Sequence, residues 1–219
     1  MKKYITIFLS LLFLSFQTAK ADYAIGLTAG LHMLDASGTE TVRTSKAKNN
    51  GSHSEDVIVP EVFIEAIGDN GTAFGLAYIP TRDVGSKSRT DSNTEGDSGT
   101  YKAEAELENV VQVYIDFPVG SYSIGGIDSS IYVKTGLQHA TIATLESLNS
   151  GSTYPNEDVL GFTLGVGAKG DLPYGDGVFY KADLTYTDFE TYKADSSANN
   201  TVEADLEDLA VKFSVGKKF

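Results

Sequence analysis

The last eleven residues constrain the chain most. Leu209, Val211, Phe213, Val215 and Phe219 share one parity, and Ala210, Lys212, Ser214, Gly216 and Lys218 share the other. A strand sends alternate side chains to opposite faces. One face of this segment is therefore bulky and apolar, and the other is small or cationic. The same period-two pattern recurs through the chain, which predicts an all-β architecture.

Seven more segments carry it. They run over about Tyr23–Met33, Val57–Ile67, Ala73–Thr81, Ala103–Phe117, Ser130–Ala140, Asp158–Gly170 and Val178–Tyr186. Long polar stretches alternate with short turns between the eight strands. The long ones cover about 35–56, 82–102, 144–157 and 190–202 and read as four loops. The short ones include Gly68-Asp69-Asn70-Gly71, whose residues suit a tight hairpin. Each strand has the ~9–11 residues needed to cross a bilayer as part of a barrel.

The direction of the alternation separates two barrel types. A soluble barrel faces its apolar residues inward. Here the continuous apolar face opposes one of Gly, Ala, Thr, Glu and Lys, the inversion that lipid requires. Aromatic residues fall near strand ends. Tyr23, Phe74, Phe117, Tyr180 and Phe219 are expected low in the membrane, with Tyr78, Phe162 and Tyr186 high.

The N-terminus fits export. Lys2 and Lys3 precede an apolar run, Tyr4 to Phe16, and Ala19-Lys20-Ala21 ends it. This is the layout of a secretory signal peptide over residues 1–21, leaving 22–219 as the barrel. Losing Lys2, Lys3 and Lys20 takes the net charge from −13 to −16. Such a charge argues against nucleic acid as a partner. The absence of cysteine excludes disulfides, thiol catalysis and thiolate metal sites.

Taken together, the chain resembles the small eight-stranded outer-membrane barrels, the opacity-protein and OmpA/OmpX-type group. Gly161–Gly170 matches the Gly-rich sixth strand of that group, and Gly216–Phe219 its Gly-x-x-Phe ending. The resemblance implies an antiparallel up-and-down transmembrane barrel with short periplasmic turns and four long extracellular loops. It also implies a C-terminal signal, Phe213, Val215 and Phe219, read by the barrel-assembly machinery. Outer-membrane lipid, an unidentified extracellular ligand and a monomeric state complete the expectation.

The inward face is charged. Glu61, Glu65, Glu104, Glu106, Glu108 and Asp116 are expected to face Lys134, Lys169, Lys181 and Lys212 across the lumen, with Asp183 among the lysines. A lumen of eight strands is only wide enough for side chains, so these groups should pair as a plug or line a polar path. Asp91-Ser92-Asn93-Thr94-Glu95-Gly96 starts like a calcium loop, but Lys102 stands where the motif needs Glu. No metal or other cofactor is expected. His32, expected near the outer rim, His53 and His139 form no catalytic motif, so the chain reads as non-enzymatic. Two roles follow: surface interaction through the loops, or a narrow channel for small or weakly polar solutes.

Overall fold

The computed structural model describes residues 21–219 apart from 44, 95, 96, 125, 148–152, 174 and 198. The signal segment thus lies outside the described residues except for Ala21. Among the described residues ten strands form: β1 Ala21–Thr41, β2 Lys48–Gly68, β3 Ala73–Ile79, β4 Arg82–Thr94, β5 Asp97–Ile124, β6 Ile127–Ser147, β7 Glu157–Asp171, β8 Val178–Phe189, β9 Tyr192–Asp195 and β10 Thr201–Lys218. Neighbours pair in the order β1-β2-β3-β5-β6-β7-β8-β10, and β10 returns to β1. Eight strands therefore close one antiparallel ring. β4 continues the path of β3 and pairs with β5; β9 continues β8 and pairs with β10.

The lipid-facing band follows the sequence pattern. Leu27, Ile64, Leu76, Leu137, Leu164, Val166, Val211 and Phe213 are all exposed on its outer wall. A water-soluble chain does not leave so large a contiguous apolar surface open. Cross-strand pairs stitch the band together, among them Leu27 with Val215, Leu184 with Val211 and Val166 with Val133. The upper aromatics Tyr78, Phe162 and Tyr186 and the lower Tyr23, Phe117 and Phe219 are exposed on the same wall.

Above this band the strands continue where polar loops were expected. β1 and β2 pair up to Thr41 with Lys48, so much of the 35–56 stretch is a hairpin ladder. The 82–102 stretch likewise becomes β4 and the start of β5, paired from Arg82–Leu107 up to Thr94–Asp97. Ser, Thr and Asn on both faces hide the alternation there, so composition reads as loop while the backbone ladder persists. The calcium-like stretch Asp91–Gly96 ends at residues 95 and 96, outside the described residues.

Interruptions within β5, between β3 and β4 and between β8 and β9 shift the phase of the alternation. Asn109 adopts φ 53° at a bulge between Glu108 and Val111. Pro80 and Thr81 separate inward Ile79 from inward Arg82, and Glu190 and Thr191 separate inward Phe189 from inward Tyr192. Each leaves an extra residue out of step, which exchanges the two faces beyond it.

The ladder between β2 and β3 ends with Val62 opposite Tyr78. In that register Glu61 and Ile79 would come next, and then Pro60 and Pro80. Neither has an N–H to donate, so pairing stops there. Above that point β2 pairs with β1 and β4 with β5, with no β2–β4 ladder among the described residues. The gap is narrow: a Cβ on Gly85 of β4 would meet His53 of β2 at 2.2 Å.

Asn109 tests this account. Asn109→Gly should leave the barrel intact, whereas Asn109→Val should cost about 1–2 kcal/mol, the strain of a left-handed backbone at a branched residue. Urea unfolding in lipid vesicles reads the difference.

Candidate functional site

The interior is filled from top to bottom. Leu34, Val59, Ile79, Leu107, Phe189 and Leu206 belong to an apolar cluster in the upper half. Over it lies the segment 153–156. Tyr154 packs against this cluster and donates its hydroxyl to Glu40 at 3.2 Å, and Tyr192 donates to the Pro155 carbonyl at 2.8 Å. The extracellular end of the lumen is therefore closed by apolar packing under a hydrogen-bonded cap.

Below it, charges converge from four strands. His32 Nδ1 lies 2.8 Å from Asp208 Oδ2, and its Nε2 lies 3.0 Å from Glu61 Oε1. Arg82 Nη2 donates to Asp208 Oδ2 at 2.9 Å, and Lys212 Nζ lies 2.7 Å from Glu61 Oε1. All five side chains are buried. Arg82 Nε and Nη1 and Asp208 Oδ1 have no hydrogen-bond partner among the described residues. Beside this cluster, on β5 to β8, a neutral layer joins Gln112, Gln138, Thr163 and Thr187 by hydrogen bonds of 2.8–3.2 Å.

A second charge cluster sits nearer the periplasm. Lys181 Nζ bonds both Glu65 and Asp116, the latter at 2.6 Å. Lys134 Nζ lies 3.1 Å from Asp116 and 3.4 Å from Asp183. Tyr114 and Tyr132 donate their hydroxyls to Glu65 and Asp183 at 2.8 and 2.7 Å. Lys134 also lies 3.7 Å from the centre of the Tyr114 ring, within cation–π range. A cavity of about 20 Å³, room for one water, lies between the two clusters. Phe63 and Phe179, edge to face with centroids 6.4 Å apart, lie towards the periplasmic end.

Glycines make this filling possible. Gly75 sits opposite Tyr114 and Gly216 opposite Phe179 on neighbouring strands. A Cβ at Gly75 would stand 2.1 Å from Tyr114 Cζ, and one at Gly216 would stand 2.4 Å from Phe179 Cζ. The rings lie flat over glycine backbone, so eight strands can enclose them.

The expected lumen residues divide. Glu61, Glu65, Asp116, Lys134, Lys181, Asp183 and Lys212 lie in the two clusters. Lys169 stands apart near the periplasmic mouth, 3.4 Å from the Gly71 carbonyl. Glu104, Glu106 and Glu108 are a correction. The Asn109 bulge turns Leu107 inward, fully buried, and places the three glutamates on the outer face. His32, expected at the rim, is wholly buried inside. Its inward parity with Thr28 and Gly30 was readable, and so was that of Asp208 with Ala210 and Lys212. Arg82 was not readable, because the phase changes just before it. His53 and His139 are exposed, next to Glu55 and Asp158 respectively.

Comparison with protein-family models and with curated protein sequences gives no match. Among solved structures, the outer membrane protein OprG from Pseudomonas aeruginosa aligns with a TM-score of 0.54, covering 92% of this chain and 97% of that one at 12% identity. This chain has the fold of a small eight-stranded outer-membrane β-barrel. The outer membrane protease OmpT from Escherichia coli aligns at a TM-score of 0.47 over 93% of the barrel described here and 99% of its own chain, at 9% identity. Ail of Yersinia pestis, solved with a heparin analogue, aligns at 0.36 over 88% and 98%, at 10% identity.

Removing one partner from a buried ion pair strands the other charge, at about 3–5 kcal/mol. Lys181→Met should destabilise the barrel by that amount, since Glu65 and Asp116 both depend on it. Adding Asp116→Asn should recover part of the loss. Midpoints of urea unfolding in vesicles measure both.

Proposed function

We propose that this outer-membrane barrel is a non-enzymatic, non-conducting scaffold that presents its extracellular hairpins to a partner outside the cell. The observation that carries this reading is the filled lumen. Paired charges occupy its lower half, and apolar side chains under the Tyr154 cap occupy its upper half. Rigid ladders raise the connections well above the lipid band, and surface loops on a rigid frame commonly carry binding. The proposal includes export by residues 1–21, recognition of Phe213, Val215 and Phe219 by the assembly machinery, and a monomeric state.

A second reading rests on the gap above Pro60 and Pro80. There, just above the upper aromatic belt at Tyr78, the apolar interior meets the outer membrane surface across a wall without a hydrogen-bond ladder. A small apolar solute would then leave sideways into the lipid, not through the charged lower half.

Planar-bilayer recordings test the first reading: the folded barrel should be silent, and discrete steps would overturn it. Trimming the β1–β2 hairpin to an Asn-Gly turn between Ser37 and Ser52 should keep the fold and abolish cell-surface binding. A Pro60→Cys, Pro80→Cys disulfide separates the alternatives. It should leave surface binding unchanged, whereas loss of uptake of the apolar dye N-phenyl-1-naphthylamine would favour sideways passage.

A further inference from the structure

A groove of about 380 Å³ runs down the outer wall where β1 and β10 close the ring. Ile25 and Leu27 of β1, Val62 of β2, and Val178 and Val215 line it. Its floor includes Gly26 and Gly216, which face each other across the closing ladder. Neither carries a side chain, and inside the barrel Phe63 and Phe179 cover them. Lys217 completes the lining, on the outer face opposite Ile25 and Val178.

Lys217 differs from the lysine beside it. Lys218 Nζ lies 2.6 Å from Asp171 Oδ1. Lys217 has no ion-pair partner among the described residues. It is an outward cation at the periplasmic edge of the apolar band, in a chain of net charge −13. At that depth the membrane presents phosphate headgroups, with acyl chains directly above them.

We propose that this groove is a binding site for one anionic phospholipid of the periplasmic leaflet. An acyl chain lies along Ile25, Leu27 and Val215 and covers the closure between first and last strands. Its phosphate meets the Lys217 ammonium, which reaches past the apolar wall to the interface as lysines at membrane edges do. Charge and apolar shape together select the ligand. Either alone would give only the transient lipid contact found all around a barrel.

Native mass spectrometry of the full barrel, exchanged from phosphatidylglycerol-containing micelles into lipid-free detergent, tests this. Wild type should retain one phosphatidylglycerol in preference to phosphatidylethanolamine. Lys217→Gln should lower that retention about fivefold, the scale of one lysine's attraction at an anionic surface. Val62→Trp, which fills the groove from a lipid-facing position, should abolish it while the barrel keeps its folded gel mobility. Lys218→Gln should retain lipid like wild type. No retained lipid in wild type, or retention at the wild-type level in Lys217→Gln or in Val62→Trp, would overturn the proposal.

Discussion

Closure of the backbone ladder is the condition on which the rest of this structure depends. Inside lipid no water is available to satisfy an open N–H or C=O, so a sheet can cross only as a ring. β1 and β10 meet this need over a long register, from Ala24–Lys218 to Thr41–Thr201. The wall lacks a ladder where two prolines would have faced each other. Proline brings one fewer donor to be satisfied, so an opening is least costly there. The backbone requirement thus selects both the fold and the place where the fold is relaxed.

A ring of eight strands leaves an interior that must be filled. The lower half is filled with charge, which is stable only when every ion has a partner. Two carboxylates hold Lys181 and two hold Lys134, and the tyrosines donate to the same carboxylates. The aromatic rings that pack beneath need space that ordinary residues would occupy. Glycines on the adjacent strands provide it. The inner glycines are thus set by ring size as much as by backbone freedom.

Much of this was legible in the sequence because strand periodicity and lipid exposure impose one rule on every residue. The eight crossing strands, the apolar outer wall and the lysine–carboxylate pairing all follow from parity. What escaped was any point where parity changes. Counting through Asn109 puts Glu104, Glu106 and Glu108 inward, and a single left-handed residue reverses that count. Arg82 was hidden by Pro80 and Thr81 in the same way. The upper hairpins escaped for another reason: when both faces are polar, alternation carries no signal, and only the partner strand shows that the segment is paired.

Along each wall the chemistry turns inside out. In the lower half apolar side chains face outward and charged ones inward. In the upper half Leu34, Leu107, Phe189 and Leu206 face inward, and Asp35, Glu106, Asp188 and Glu207 face outward. The molecule is a membrane barrel with a water-soluble barrel built on the same strands. Burying apolar groups is favourable only against water. In the upper half that driving force gathers apolar side chains inside the barrel, whereas in the lower half it carries them outward into lipid and leaves the interior to be held by paired charges. One continuous ladder joins two halves assembled by different solvents, and the outer membrane surface is the boundary between them.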